Sequence, residues 1–158
     1  MMKNVFNQND VAEIIERINS LTPESPAQWG KMSVSQMLAH CNVTYEFIYE
    51  PEKHKKPGAF MKFILKLLVK SKVTNEVLYK PNNATAPAFI IKDEKNFEAE
   101  KVRLIEYINR ALESGADYFD NLESHSFGKL NKQEWNNMFY KHLQVIFISH
   151  KKLIEMQE

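Results

Sequence analysis

At 158 residues the chain has an ordinary single-domain length, enough to bury a core without disulfide or metal staples. Hydrophobic residues make up 44% and charged ones 26%, which places it with folded globular proteins rather than disordered ones. Lys and Arg number 21 against 20 Asp and Glu, so no global positive field exists to hold nucleic-acid phosphates, and nucleic acid is not an expected partner.

Cys41 is the sole cysteine, which excludes an internal disulfide framework and fits a reducing compartment. Residues 1–10 are polar and lack the apolar centre of a secretion signal, and no run approaches the ~18 apolar residues of a membrane span. The expectation is one cytoplasmic domain over 1–158.

Asp10 stands three residues before Glu13, a pairing that can cap a helix, and Val11, Ile14, Ile15 and Ile18 follow on one face. Pro23 and Pro26 interrupt the pattern. Ser33 and Gln36 then form a capping box with Met32 and Met37 as staple partners. From there Val34, Met37, Leu38, Cys41, Tyr45 and Ile48 mark a second helix that Pro51 ends. After a basic loop, Phe60, Phe63, Ile64, Leu67 and Leu68 share one face of a short third helix, with Lys62, Lys66 and Lys70 away from it. Residues 73–92, with Pro81 and Pro87, read as a long extended crossover. Phe97, Leu104, Ile105, Ile108 and Leu112 define a fourth helix, with Gly115 placed to end it. An acidic, turn-rich stretch over 116–128 leads to the Asn131/Glu134 box of the last helix, with Leu130 and Trp135 as its staple. No alternation supports a sheet, so the fold class is all-α: a helical bundle with a short extra helix and a long crossover.

Stepping 100° per residue from Trp135 puts Met138, Phe139, His142, Ile146, His150 and Leu153 in one stripe facing the bundle interior. His142 and His150 lie roughly 12 Å apart along such a helix, too far for bonds of about 2.0 Å to one zinc. The position that would complete an i, i+4 pair with His142 is Ile146. His40 sits on the flank of the second helix between Met37 and Thr44, from where it can face His142. Two neutral imidazoles leave a catalytic zinc site one ligand short, so any divalent metal, zinc or nickel, is expected to bind weakly or not at all. The plainer alternative is a pair of buried histidines bonded to backbone or hydroxyl groups.

His125, at the mouth of the last helix, is a candidate third polar group or an exposed loop residue. Asp117, Asp120 and Glu123 lack the calcium-loop pattern and read as a solvated acidic loop. Cys41 falls in an apolar stripe, where burial raises a thiol's pKa and suppresses nucleophilic chemistry. Seven lysines lie between Lys53 and Lys72 around an apolar face. The expected arrangement is that this helix packs inward with its lysine stems reaching water, so a membrane surface is not an expected partner.

Two segments carry a family resemblance: Trp29-Gly-Lys-Met-Ser-Val-Ser-Gln-Met-Leu-Ala-His-Cys41, and Phe127-Gly-Lys-Leu-Asn-Lys-Gln-Glu-Trp-Asn-Asn-Met-Phe-Tyr-Lys-His-Leu143. With Thr85–Lys101 between them, they resemble the domain of unknown function 1569 branch of the DinB/YfiT-like metalloenzyme superfamily. The resemblance implies an up-down four-helix bundle with a metal held by one histidine of the second helix and two of the last. Carried onto this chain, the ligands fall on His40 and His142, and the third falls on Ile146. After Leu143 the branch continues with a histidine pair, where this chain reads Gln144-Val-Ile-Phe-Ile-Ser-His150, through divergence or a reading-frame change. The functional expectation is a bundle with a degenerate metal site that binds a small ligand or a protein. Its rival is a divalent-metal-dependent enzyme, of hydrolase or thiol-transferase type, using His40 and His142, with His125 as a tentative helper. A homodimer through the helix faces is the third expectation.

Overall fold

The computed structural model describes residues 2–26, 31–80 and 85–148. His150, Leu153, Trp29 and Pro81 lie outside the described residues. Four long helices carry the core: α1 (Gln8–Asn19), α2 (Val34–Tyr49), α5 (Phe97–Ser114) and α7 (Lys132–Ile148). Between α2 and α5 come α3 (Ala59–Leu68), α4 (Lys70–Thr74) and an irregular crossover with one 3-10 turn at Pro87–Phe89. α6 (Ala116–Phe119) and a two-stranded hairpin, β1 (Leu122–Ser124) and β2 (Gly128–Leu130), link α5 to α7. The chain is thus a mostly helical bundle.

Each long helix starts where its cap chemistry allows. Ser33 and Gln36 exchange both bonds of a capping box: Gln36 N–H donates to Ser33 Oγ over 3.2 Å, and Ser33 N–H to Gln36 Oε1 over 3.0 Å. Asn131 and Glu134 do the same at α7, at 2.9 Å in both directions. At α1 the cap is Asn7, not Asp10. Asn7 Oδ1 accepts from the amides of Asn9 and Asp10, while the Asp10 carboxylate turns back to Asn4 N–H at 2.8 Å. Two Asx residues three apart compete for the role, and the one able to take two orphan amides starts the helix. α5 ends at Gly115, whose φ of +75° and ψ of 164° lie in a region essentially reserved for glycine.

The core forms where the apolar stripes meet. α2 packs on α5 and α7, and α1 packs on α5. Ile14, Ile18, Leu38, Leu104, Ile108, Trp135, Phe139 and Leu143 are fully enclosed. Burying each of the aliphatic side chains contributes roughly 1.5–3 kcal/mol. Aromatic rings fill the centre: Tyr45 stacks on Phe139 with ring centres 4.8 Å apart, and Phe119 meets Phe139 edge-on at 5.4 Å. α7 also carries buried polar residues that hold the periphery. Asn136 Oδ1 accepts Val5 N–H at 2.8 Å, Asn137 donates to Thr74 O at 2.8 Å, and the Lys141 ammonium donates to Lys72 O at 2.6 Å and Asn75 Oδ1 at 2.8 Å.

Two expectations are corrected. The acidic stretch 116–128 is not a simple loop, because β1 and β2 pair antiparallel with Leu122 opposite Leu130. Strands of three residues are too short to show alternation in sequence. The third helix does not bury its apolar stripe in the core. None of the residues of α3 is buried, and its one extensive packing partner among the described elements is α4. The stripes of the long helices already close the core on one another, which leaves α3 as a cover rather than a wall.

Candidate ligand cavity and histidine pair

Helical periodicity brings His40 and His142 to the same place from facing helices. Their ring centres are 6.0 Å apart, and the rings are tilted by 34°. Each imidazole is fixed through Nδ1: His40 Nδ1–H donates to Phe89 O and His142 Nδ1–H to Met138 O, both over 2.9 Å. A carbonyl oxygen can only accept, so both rings carry the proton on Nδ1 and keep the lone pair on Nε2. Aromatic neighbours sandwich the pair. Phe89 stacks on His142 with centres 5.0 Å apart, and Tyr79 meets it edge-on at 5.4 Å.

The pair borders a cavity of about 870 Å³, lined mostly by apolar side chains from α2, α3, the crossover and α7, among them Phe47, Leu65, Val69, Tyr79, Phe89 and Met138. Burial lowers the pKa of both imidazoles. His40 falls below its usual range, with the bond to Phe89 opposing the shift, and His142 is pushed down to about 4. His142 keeps part of its surface open, on the side where it lines the cavity, yet lies deep enough for desolvation to dominate. At neutral pH both rings are therefore uncharged acceptors.

His125 lines the same cavity but is held apart from the pair by its own contacts. It stacks on Phe47 at 4.2 Å between ring centres and bonds through Nδ1 to Ser126 Oγ at 2.9 Å. No group of three or more His, Cys, Asp or Glu that could hold a metal exists among the described residues. Ile146 is 1% exposed and offers only carbon at the position of the implied third ligand. The donor set does not fit a three-histidine metal site. Asp117 and Asp120 are committed elsewhere, to the Lys132 ammonium at 2.8 Å and the Lys132 amide at 3.1 Å. Cys41 is enclosed, its thiol pKa raised by burial, and Sγ points to His142 O at 3.3 Å, so it is no nucleophile.

Several functional groups escape a reading of the sequence alone. Thr44 and Trp135 line the cavity, and Thr44 Oγ1 and Trp135 Nε1 have no hydrogen-bond partner among the described residues. Thr44 was findable, since it lies one turn after His40 on the same face. Tyr79 and Phe89 sit in the aperiodic crossover, where no spacing signals a contact. His54 is a fourth placed histidine: its Nε2 reaches Glu46 Oε2 at 2.6 Å, while Arg103 takes Glu46 Oε1 at 2.5 Å, forming a polar network on α2 and α5 outside the cavity.

The model of the family described as "Protein of unknown function (DUF1569)" matches residues 2–150. The chain belongs to this family. No curated protein and no solved structure matches it. The DUF1569 match spans the capping boxes, both paired histidines and Ile146, so the cavity is part of the DUF1569 domain itself.

Proposed function

We propose that this DUF1569 protein is a small-ligand-binding bundle of DinB-like type whose histidine pair serves as a hydrogen-bonding site instead of a complete metal centre. The observation that carries the proposal is the pair of neutral imidazoles, each fixed with its Nε2 lone pair free, on the wall of an aromatic cavity of about 870 Å³. Such a site favours a mainly apolar molecule with a flat portion to lie against Phe89 or Phe47, and an N–H or O–H group to donate to Nε2.

The test is an NMR titration of phenols and aromatic amines that follows the Nε2 resonances of His40 and His142, run beside calorimetric titration with zinc and nickel. The expected result is fragment binding that shifts both resonances, with metal binding weak or absent. Stoichiometric submicromolar uptake of either metal would overturn the proposal.

One observation favours the second reading, a divalent-metal-dependent hydrolase or thiol transferase. Metal-bound histidines commonly donate their other ring N–H to a carbonyl, as both of these do. That reading requires His142→Ala to remove both metal and activity; unchanged metal content in that variant eliminates it.

A further inference from the structure

α3 is turned the opposite way from a bundle helix. Phe60, Phe63 and Leu67 are 77%, 62% and 67% exposed, and Met61 and Leu68 are at least half exposed beside them. At 100° per residue these five fall within a sector of roughly 160°. Lys62 and Lys66 lie on one flank of that sector, Lys70 opens α4 just beyond it, and Leu65, on the remaining side, lines the cavity together with Val69. Exposed apolar surface of this continuity marks an interaction site rather than ordinary scatter.

Charge identifies what covers it. From Lys53 to Asn75 the chain has seven lysines and no Asp or Glu, so the remainder of a chain of net charge +1 is acidic. The near-even charge balance of the whole composition conceals a strong segregation. Lys53, Lys62 and Lys70 approach Glu50, Glu123 and Glu134 at 2.5, 3.9 and 3.0 Å, whereas Lys55, Lys56, Lys66 and Lys72 have no carboxylate partner among the described residues. A two-fold pairing of copies through α3 sets these lysines against their own equivalents, which like charge opposes. A lipid surface with anionic headgroups accommodates both features: phosphates meet the lysines while Phe and Leu side chains sink to the acyl boundary. We propose that α3, with the lysines that flank it, docks this protein on an anionic lipid surface with Phe60, Phe63 and Leu67 inserted among the headgroups. No helix among the described residues is long and apolar enough to cross a membrane, so the contact is peripheral.

Co-sedimentation of the full chain with vesicles of phosphatidylcholine alone, and of phosphatidylcholine mixed with phosphatidylglycerol, tests this. Binding to the anionic vesicles should exceed binding to the neutral ones by about ten-fold or more and weaken with added salt. The double variant Phe63→Ser/Leu67→Ser should lose about ten-fold in affinity for anionic vesicles with an unchanged melting temperature, since neither side chain is in the core. Lys66→Glu/Lys72→Glu should lose at least as much. Equal or absent binding to the two vesicle types overturns the proposal, as does full binding by the serine variant. Sedimentation velocity showing a dimer that the serine variant dissociates would assign α3 to a second copy instead, and also overturns it.

Discussion

The His40 imidazole donates its Nδ1–H to the backbone carbonyl of Phe89 over 2.9 Å, tying α2 to the middle of the crossover. One side chain therefore holds in place the ring that stacks on His142. His40→Ala removes the donor at a cost of about 1 kcal/mol. The amides of Phe89 and Ile90, which bond to Ala86 O and Pro87 O, should exchange with solvent measurably faster. Unchanged exchange there would mean the crossover is held by apolar packing alone.

Stability should fall on mild acidification. His142 titrates near 6.5 in the unfolded chain and at about 4 in the folded one. Between those values the unfolded state binds more protons, so stability rises with pH across the window. It is fully present above about pH 6.5 and is lost as pH falls toward about 4, and the lowered pKa of His40 acts in the same direction. The His142 share is on the order of 2–3 kcal/mol. Urea unfolding between pH 7 and pH 4.5 measures it, with His142→Gln as the control. An equal slope in that variant would place the effect on other groups.

Ile146→His places a second imidazole one turn beyond His142 on the inward face. Without metal the variant should be less stable by roughly 1–3 kcal/mol, because a polar ring replaces a fully buried aliphatic side chain. Zinc should reverse the loss, since ligand at a hundred times its dissociation constant adds about 2.7 kcal/mol. The comparison to make is the zinc-dependent shift in melting temperature of variant and parent. Equal shifts would show that position 146 does not point at the pair.

Gly115→Ala isolates backbone strain from packing. A Cβ at this position meets nothing within 4 Å, yet φ is +75°. The expected loss is about 1–3 kcal/mol, all of it conformational. A variant as stable as the parent would require the α5–α6 junction to rearrange at no cost.

The long helices were legible because period and cap agreed: Ser33/Gln36 and Asn131/Glu134 each announced a helix whose inward stripe then followed. The same arithmetic brought His40 and His142 together, and it placed Ile146 beside them in the core. Legibility failed where the signal is not periodic. Nothing in the sequence says that Phe89 or Tyr79 returns to the α7 imidazole, since those contacts are made by chain of irregular conformation. Periodicity also identified the apolar face of α3 correctly while missing its direction. An amphipathic pattern states that one side avoids water but not which neighbour supplies the cover.

Cys41 has a practical consequence. Its sulfur is shut between α2 and α7 against the carbonyl of His142, so thiol reagents reach it only when those two helices part. The rate of its alkylation is thus a stopwatch for the breathing of α2 against α7. A cysteine engineered on the surface would meanwhile react at once, which leaves the parent sequence ready for site-selective labelling without prior removal of its native thiol.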